Sequence, residues 1–351
     1  MNDKVNNKNV NVSILKVIAA CLVVFLHEDF AGTFGKSIEC IARIAVPIFF
    51  AVTGYYSYNV SIGKIKNRLI KIIVILLVSN GIYLIWDLFY KCHIGGTVVS
   101  EYLKNTFGLK KIATFFLMES ALTSYHLWYL TAIVYVYLIY LVYISFWKGR
   151  EVNYKYLYIY SIIGFTVTVL FALKAQAVNI GEYHWIYRNS LFLGIPLFSM
   201  GIFIHEYRER IMENYFFQNK PVTYMLLIAS IALGLIQYFG IGVTDYPVML
   251  TYVVFVLVLY TTGSENSKKI KNPGMLSDLL NRMSLIIYII HLLVHNIFVA
   301  DYEHKKIFGE ISQNGYVFPL VVLMVSVLIA FILSICVGCL NSQSEADVSK
   351  N

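Results

Sequence analysis

The stretch "ILKVIAACLVVFLHEDF", residues 14–30, is apolar enough to sit in hydrocarbon, yet it holds a lysine near its start and a histidine near its middle. A helix that crosses about 30 Å of hydrocarbon needs roughly 20 mostly apolar residues, and the run from residue 12 to 31 supplies them. Each residue turns a helix by about 100° and lifts it by about 1.5 Å. Lys16 and His27 therefore fall within about 20° of one another around the axis and about 16 Å apart along it. Both look the same way, one near a membrane surface and the other deep. The segment before them, "MNDKVNNKNVNVS", is polar and has no small-residue cleavage site, so the run reads as a retained helix and not a signal peptide.

Composition extends this reading to the whole chain. Apolar residues make up 58% and charged residues 14%, with a mean hydropathy of +0.67. Ordinary globular domains carry about 25% charged residues, so too few are present here to solvate a water-facing surface, and the membrane class follows. The net charge of +8 does not signal nucleic acid, because the basic residues are scattered through short loops between apolar runs. The five cysteines, Cys21, Cys40, Cys92, Cys336 and Cys339, show no disulfide framework, and the C-x-x-C at 336–339 lies in a hydrophobic helix, where it reads as a packing feature and not a redox or zinc motif.

Ten runs have the length of a span: 12–31, 39–58, 69–90, 127–147, 156–174, 188–206, 222–240, 246–262, 283–300 and 316–340. The eighth is short, and "IATFFLMESAL" at 112–122 reads as an extra re-entrant or interfacial helix. Ten spans put both termini on one side. Of the 28 lysines and arginines, alternate loops then place 16 with the termini and 9 opposite, the other three lying inside spans. The positive-inside rule makes the terminal side cytoplasmic. The expected architecture is all-α: a cytoplasmic segment over 1–11, one multi-pass transmembrane domain over 12–340, and a polar cytoplasmic tail over 341–351. No internal repeat is evident, which argues against a transporter of inverted halves.

Ionisable groups inside a bilayer cost a few kcal/mol on the gentlest scale and usually face a cavity or a partner. His27 is mid-span, with Glu28 and Asp29 directly after it. Arg43 stands near the start of the second run, His126 and Trp128 at the start of the fourth, and Arg188 at the start of the sixth. His291 and His295 share one face of the ninth. Arg43, His126 and Arg188 are close enough to span ends to reach headgroups or water instead. His291 and His295 lack a third ligand at metal-binding spacing, so no metal site is expected, and His295 reads as a hydrogen-bonded packing residue. His27 has no surface within reach of an imidazole. Histidine is also the natural general base near neutral pH, and Glu28 or Asp29 would orient it. Between the second and third runs "GKIKNRLIKI" (63–72) carries Lys64, Lys66, Arg68 and Lys71. Orientation explains part of this cluster, and a phosphate socket explains it equally well; Lys71, already within the apolar run, is not needed for orientation.

Taken together, these residues resemble the acyltransferase-3 family of integral membrane acyltransferases. The motifs are a cation followed eleven positions later by histidine (Lys16, His27), "FFAVTGYY" (49–56), an R-x-x-R-like pair (Arg68, Lys71), "HLWYL" (126–130), "LGIPLFSMGIFI" (193–204) and "SLIIYIIHLL" (284–293). Within the family, "RIAVPIFFAVTGYY", "YHLWYLTAIV" and "RNSLFLGIPLFSMG" look most like the membrane part of VanT-type serine racemases. The chain as given has no racemase domain after that part, so neither racemization nor pyridoxal phosphate is expected. The departures are Lys16 for arginine, Thr53 for serine and Lys71 for arginine.

The resemblance implies a bacterial cell-membrane enzyme that takes an acyl group, commonly acetyl, from cytoplasmic acyl-CoA (acetyl-CoA) to a hydroxyl of a sugar or cell-envelope glycan. It implies His27 as base with Glu28 beside it, Lys16, Lys64, Lys66, Arg68 and Lys71 on the CoA phosphates, and Arg43, His126, Trp128, Arg188 and His291 around the acceptor. Membrane lipid is the surrounding partner; no metal is implied. The alternative is an uptake module for a small amino acid such as L-serine, with Arg43 or Arg188 on the substrate carboxylate and His27 or His291 as a proton-linked gate.

Overall fold

The computed structural model describes residues 9–177, 188–240, 248–263, 272–303, 311 and 313–348. Among them helices dominate and no strand occurs. In chain order they are α1 (Val10–His27), α2 (Gly32–Ala42), α3 (Ala45–Tyr55), α4 (Ile62–Asp87), α5 (Val99–Phe107), α6 (Leu109–Met118), α7 (Trp128–Phe146), α8 (Lys155–Ala177), α9 (Ile195–Glu213), α10 (Tyr215–Gln218), α11 (Lys220–Gly240), α12 (Thr251–Gly263), α13 (Pro273–Glu303) and α14 (Phe318–Val348). A π-helical turn, Leu88–Ile94, prolongs α4, and another, Ser190–Gly194, leads into α9.

Local chemistry sets these boundaries. Asn9 caps α1, its side-chain oxygen accepting from the N–H groups of Asn11 at 3.0 Å and Val12 at 3.3 Å. The second apolar run, expected as one helix over 39–58, is instead two: α2 ends at Ala42 and α3 begins at Ala45. Pro47 explains the break, since its ring lacks an N–H and collides with the carbonyl four residues back, that of Arg43. Asn189 caps the π-turn ahead of α9 by accepting from Leu191 and Phe192.

The chain divides into two compact units. The first comprises residues 1–49, 226–240 and 249–351. In it α1 and α13 run side by side in the same direction: Ser13 meets Ser277, Lys16 meets Asn281, His27 meets His291 and Glu28 meets His295. Because α1 packs on α13 along its length, Ala20, Val24, Ile287 and Val294 close a core with Phe318, Val322 and Ala330 of α14. Arg282 bonds Ser334 while His295 packs on Phe318, so α14 runs antiparallel to α13. The start of α1 and the end of α14 thus lie at the same end of this unit.

The second unit comprises residues 50–225 and 241–248. Asn80 bonds Thr123 just ahead of α7, and Tyr140 reaches back to the Ser57 carbonyl at 2.7 Å ahead of α4, so α4 and α7 are antiparallel. Gly164 meets Pro196 and Tyr158 bonds Glu206, so α8 and α9 are antiparallel too. By contrast α3 and α9 are parallel, with Phe50 at Gly194, Gly54 at Phe198 and Tyr55 at His205. The contact is backbone on backbone. A Cβ on Gly54 would stand 1.8 Å from the Phe198 carbonyl oxygen, and one on Gly201 1.8 Å from that of Ala51. Only glycine lets the helices approach this closely.

These directions count the crossings. Eight helical segments among the described residues are long and apolar enough to span a bilayer, and two apolar helices, Lys155–Phe171 and Val248–Thr262, are shorter. Spans that cross in the same direction are separated by an odd number of other crossings. Between parallel α3 and α9 lie α4, α7 and α8, so α8 crosses. Between parallel α1 and α13 the same rule then has α12 cross, which makes ten crossings among the described residues. The α5–α6 segment does not cross. Its helices carry an apolar face (Leu103, Phe107, Phe116, Leu117) and a charged one (Glu101, Lys104, Lys111), the pattern of helices lying in a membrane interface. Cys336 and Cys339 are exposed on α14, within its apolar span.

Candidate functional site

The first unit carries a polar ladder along the α1–α13 contact. At one end the Ser13 and Ser277 hydroxyls lie 2.7 Å apart, and Asn281 donates to Ser13 at 3.0 Å. Lys16 Nζ donates to Asn281 Oδ1 at 3.1 Å. Eleven residues on, half-buried His27 faces fully buried His291, their rings 5.3 Å apart and inclined by 23°. His291 Nδ1 lies 3.2 Å from the Ile287 carbonyl. The last rung joins Glu28, 3% exposed, to His295, whose Nδ1 lies 2.8 and 2.9 Å from the two carboxylate oxygens. The sequence places Lys16 and His27 on one face of α1, and in the structure that face meets α13; but His27, expected mid-span, is the last residue of α1, because the chain turns extended at Glu28. Glu28, expected to orient His27, has its carboxylate on His295; and His295, expected as a hydrogen-bonded packing residue, packs on Phe318 and bonds that carboxylate.

Arg43 belongs to a second network in this unit. It pairs with Glu39 one turn earlier, and Glu39 accepts from Tyr238 of α11 at 2.6 Å. The Cys40 thiol points at the Gly234 carbonyl, 3.7 Å away. Arg43 thus ties α2 to α11.

The remaining sequence-predicted residues are in the second unit. Lys64, Lys66 and Lys71 project outward from the first turns of α4 and are exposed. Half-buried Arg68 turns inward, donating to the Tyr56 carbonyl at 2.7 Å and the Ser57 hydroxyl at 3.3 Å. It closes the 56–61 turn between α3 and α4. His126, 1% exposed, is held by the Ser124 hydroxyl at 2.9 Å and Tyr83 at 3.5 Å. Trp128 opens α7 and is half-buried, as is Arg188 ahead of the Asn189 cap.

A family model described as an acyltransferase domain matches residues 9–338. The chain belongs to the acyltransferase-3 family. Comparisons with curated proteins and with solved structures gave no match. The matched segment runs from the cap of α1 into α14, so it takes in all of the second unit and most of the first.

Three polar groups of this acyltransferase escaped the sequence reading. Glu39 sits four residues before Arg43, a helical ion-pair spacing that could have been read directly. Glu119 adopts a left-handed backbone at the end of α6, with φ of 53°. Its carboxylate accepts from the Ser190 hydroxyl at 2.5 Å and N–H at 2.7 Å, joining the interfacial segment to the start of α9. Burial pushes the Glu119 carboxyl up, and the two Ser190 bonds oppose that shift. Asp87 accepts from Lys91 at 2.9 Å and Tyr102 at 2.7 Å, fastening α5 to the end of α4. Burial and this carboxylate push the Tyr102 phenol up to about 12, so it remains a donor at any physiological pH. Both pairs join residues separated by loops, beyond the reach of helical spacing.

Proposed function

We propose that this acyltransferase moves an acetyl group from cytoplasmic acetyl-CoA to a hydroxyl of a sugar or cell-envelope glycan, with His27 as general base. One observation carries the reading: His27 is held against buried His291 on the same α1–α13 face that bears Lys16. A cation near one end of α1 and an imidazole at its other end, both on the α13 contact, suit a donor with an anionic head and a long neutral arm. Exposed Lys64, Lys66 and Lys71 attract the CoA phosphates, and Arg68 fixes the turn that presents them. The excess of basic residues in alternate loops supports a cytoplasmic position for the Lys64–Lys71 segment and for both ends of the chain in a bacterial cell.

The chemistry balances within the site. His27 takes the proton of the acceptor hydroxyl while its oxygen attacks the acyl carbon. The carbon–sulfur bond breaks as the ester forms, and the proton passes from His27 to the departing thiolate. Between these steps the imidazole is positively charged at the carbonyl end of α1, which favours a cation. Arg188, His126 and Trp128 serve the acceptor in this reading, and Arg43 orients it or neutralises the carbonyl oxygen as charge develops there. The serine-uptake alternative rests on motif likeness to the membrane part of VanT-type racemases.

The test is transfer of labelled acetyl from acetyl-CoA in membranes holding wild type or His27→Ala at equal levels. Base-labile label in an envelope fraction with wild type, falling by 10²–10⁴-fold in the variant, is expected for loss of a general base. If wild-type membranes holding native acceptors transfer no label, the acetyl-CoA reading fails. L-serine uptake is then measured in the same strains.

A further inference from the structure

Glu28 is the residue after His27 and the last rung of the ladder. It stands where α1 ends, with φ of −118° and ψ of 90°, outside the helical range. A chain leaving a helix in an extended conformation swings freely unless something ties it down. Two contacts do so here. The Ala31 N–H donates to the Gly315 carbonyl at 3.1 Å, and the Glu28 carboxylate straddles His295 Nδ1. The carboxylate is 3% exposed, whereas the His295 side chain is 30% exposed and lies against Phe318, ring centroids 5.4 Å apart. His295 is one helical turn beyond His291 on the same face of α13. The two rungs therefore share both helices. Anything that moves residue 28 relative to 295 also moves His27 relative to His291.

We propose that Glu28 and His295 form a clamp whose task is to seat the His27 imidazole against His291, which makes His295 a positioning residue for the reaction at His27. The clamp's strength comes from its surroundings. A buried carboxylate is costly without a partner, and a charge-assisted bond in a medium of low dielectric is stronger than one in water. A neutral imidazole that keeps its proton on Nδ1 still donates to the carboxylate, so the contact survives either charge state of His295. Glu28 serves His27 by fixing the end of α1, and His295 is the anchor for that fixing. The proposal rests on the acyl-transfer reading for its consequence in catalysis but not for its geometry.

The experiment is a double-mutant cycle in the full-length protein, with Glu28→Gln, His295→Leu, the pair together, and His295→Gln, which restores an N–H donor. One readout is kcat and KM for acetyl-CoA with the native envelope fraction as acceptor. The other needs no turnover: carbethoxylation of each histidine by diethyl pyrocarbonate, mapped by mass spectrometry, with exposed His205 as the control. Thermal melts establish that each variant is folded.

The clamp predicts that Glu28→Gln and His295→Leu each lower kcat by about tenfold to a hundredfold, the scale of a misplaced reacting group, with KM unchanged. The double variant should be no worse than either single one, and His295→Gln should recover most of the loss. His27 should label at least about threefold faster in both disrupting variants while His205 does not change. Multiplicative losses overturn the proposal. So does a Glu28→Gln variant that is dead beside an unimpaired His295→Leu, because Glu28 would then act on His27 by itself. Unchanged His27 labelling in both folded variants also overturns it, whatever the activity. If labelling shifts as described while wild type transfers no acetyl, the clamp stands and the acyl-transfer reading falls.

Discussion

The two parallel helix pairs, α1 with α13 and α3 with α9, solve the same packing problem with opposite chemistry. Both hold two spans that cross in the same direction. The α1–α13 pair does it with side chains: hydroxyls, an amide, a lysine, imidazoles and a carboxylate meet at successive levels. The α3–α9 pair does it by removing side chains, with Gly54 and Gly201 each set against the other helix's backbone. Hydrocarbon provides no hydrophobic drive for helices to associate, so they need either close packing or interhelical bonds. A glycine contact supplies proximity and no chemistry. A polar ladder supplies less proximity and leaves ionisable groups where a substrate can use them. In the acyl-transfer reading proposed above, α3–α9 is scaffold and the reacting imidazole belongs to α1–α13.

The largest effect should come from breaking the scaffold. Gly201→Leu would place a Cβ 1.8 Å from the Ala51 carbonyl oxygen and 2.6 Å from the Tyr55 nitrogen, contacts that no rotamer relieves. Backbone must move, a class of change that costs more than about 4 kcal/mol. The expected outcome is loss of monodisperse protein after detergent extraction, read by gel filtration. Gly54→Leu should do the same. Folded Gly201→Leu protein with wild-type activity would show that the two pairs do not differ as described.

The division of labour was partly legible in the chain. Runs of about twenty apolar residues are a strong signal, and all ten expected spans are helical in the structure among the described residues. Parity recovers the two that length alone leaves out. The eleven-residue spacing of Lys16 and His27 was legible because helical geometry is local, and it correctly placed both on one face. The break before Ala45 could have been read from Pro47 and was not, since hydropathy continues through it. The pairing of Glu28 with His295 was beyond reach: the residues are 267 positions apart, and only the register of α1 on α13 sets it. The need for glycine at 54 was hidden for the same reason, because its neighbour is the Phe198 backbone.

A middle-sized effect should follow from weakening the ladder away from His27. Asn281→Leu removes the amide that bonds both Lys16 and Ser13. Interhelical hydrogen bonds in membranes average about 0.6 kcal/mol and reach about 1.7, so losing this pair should cost about 1 kcal/mol. For a chain of this size the melting temperature should fall by about 2–4 °C or less, measured by thermal scanning in detergent. Freeing Lys16 should also raise KM for the CoA donor without changing kcat, because Lys16 is far from the reacting atoms. An equal fall in kcat would extend the catalytic part of the ladder down to Asn281 and sharpen the contrast with α3–α9.

The smallest effect concerns a polar contact on the scaffold side, Glu119 with Ser190. Its carboxyl is raised by burial, more than the two Ser190 bonds lower it. A group whose pKa is raised on folding contributes stability below its unfolded value, near 4.5 here, and loses that contribution as pH rises through the folded value. Glu119→Gln removes the titration while keeping an acceptor for the Ser190 N–H. The melting temperature of wild type should therefore compare best with that of the variant at acid pH, and the difference should shrink or reverse on the way to pH 7. The expected change is below about 1 kcal/mol, within the range of a single hydrogen bond. Acetyl transfer should be unaffected, because the contact helps to seat the interfacial segment against the start of α9 and touches no rung of the ladder. A kcat that tracked this titration would mean that the scaffold side carries chemistry after all, and the contrast between the two helix pairs would fall with it.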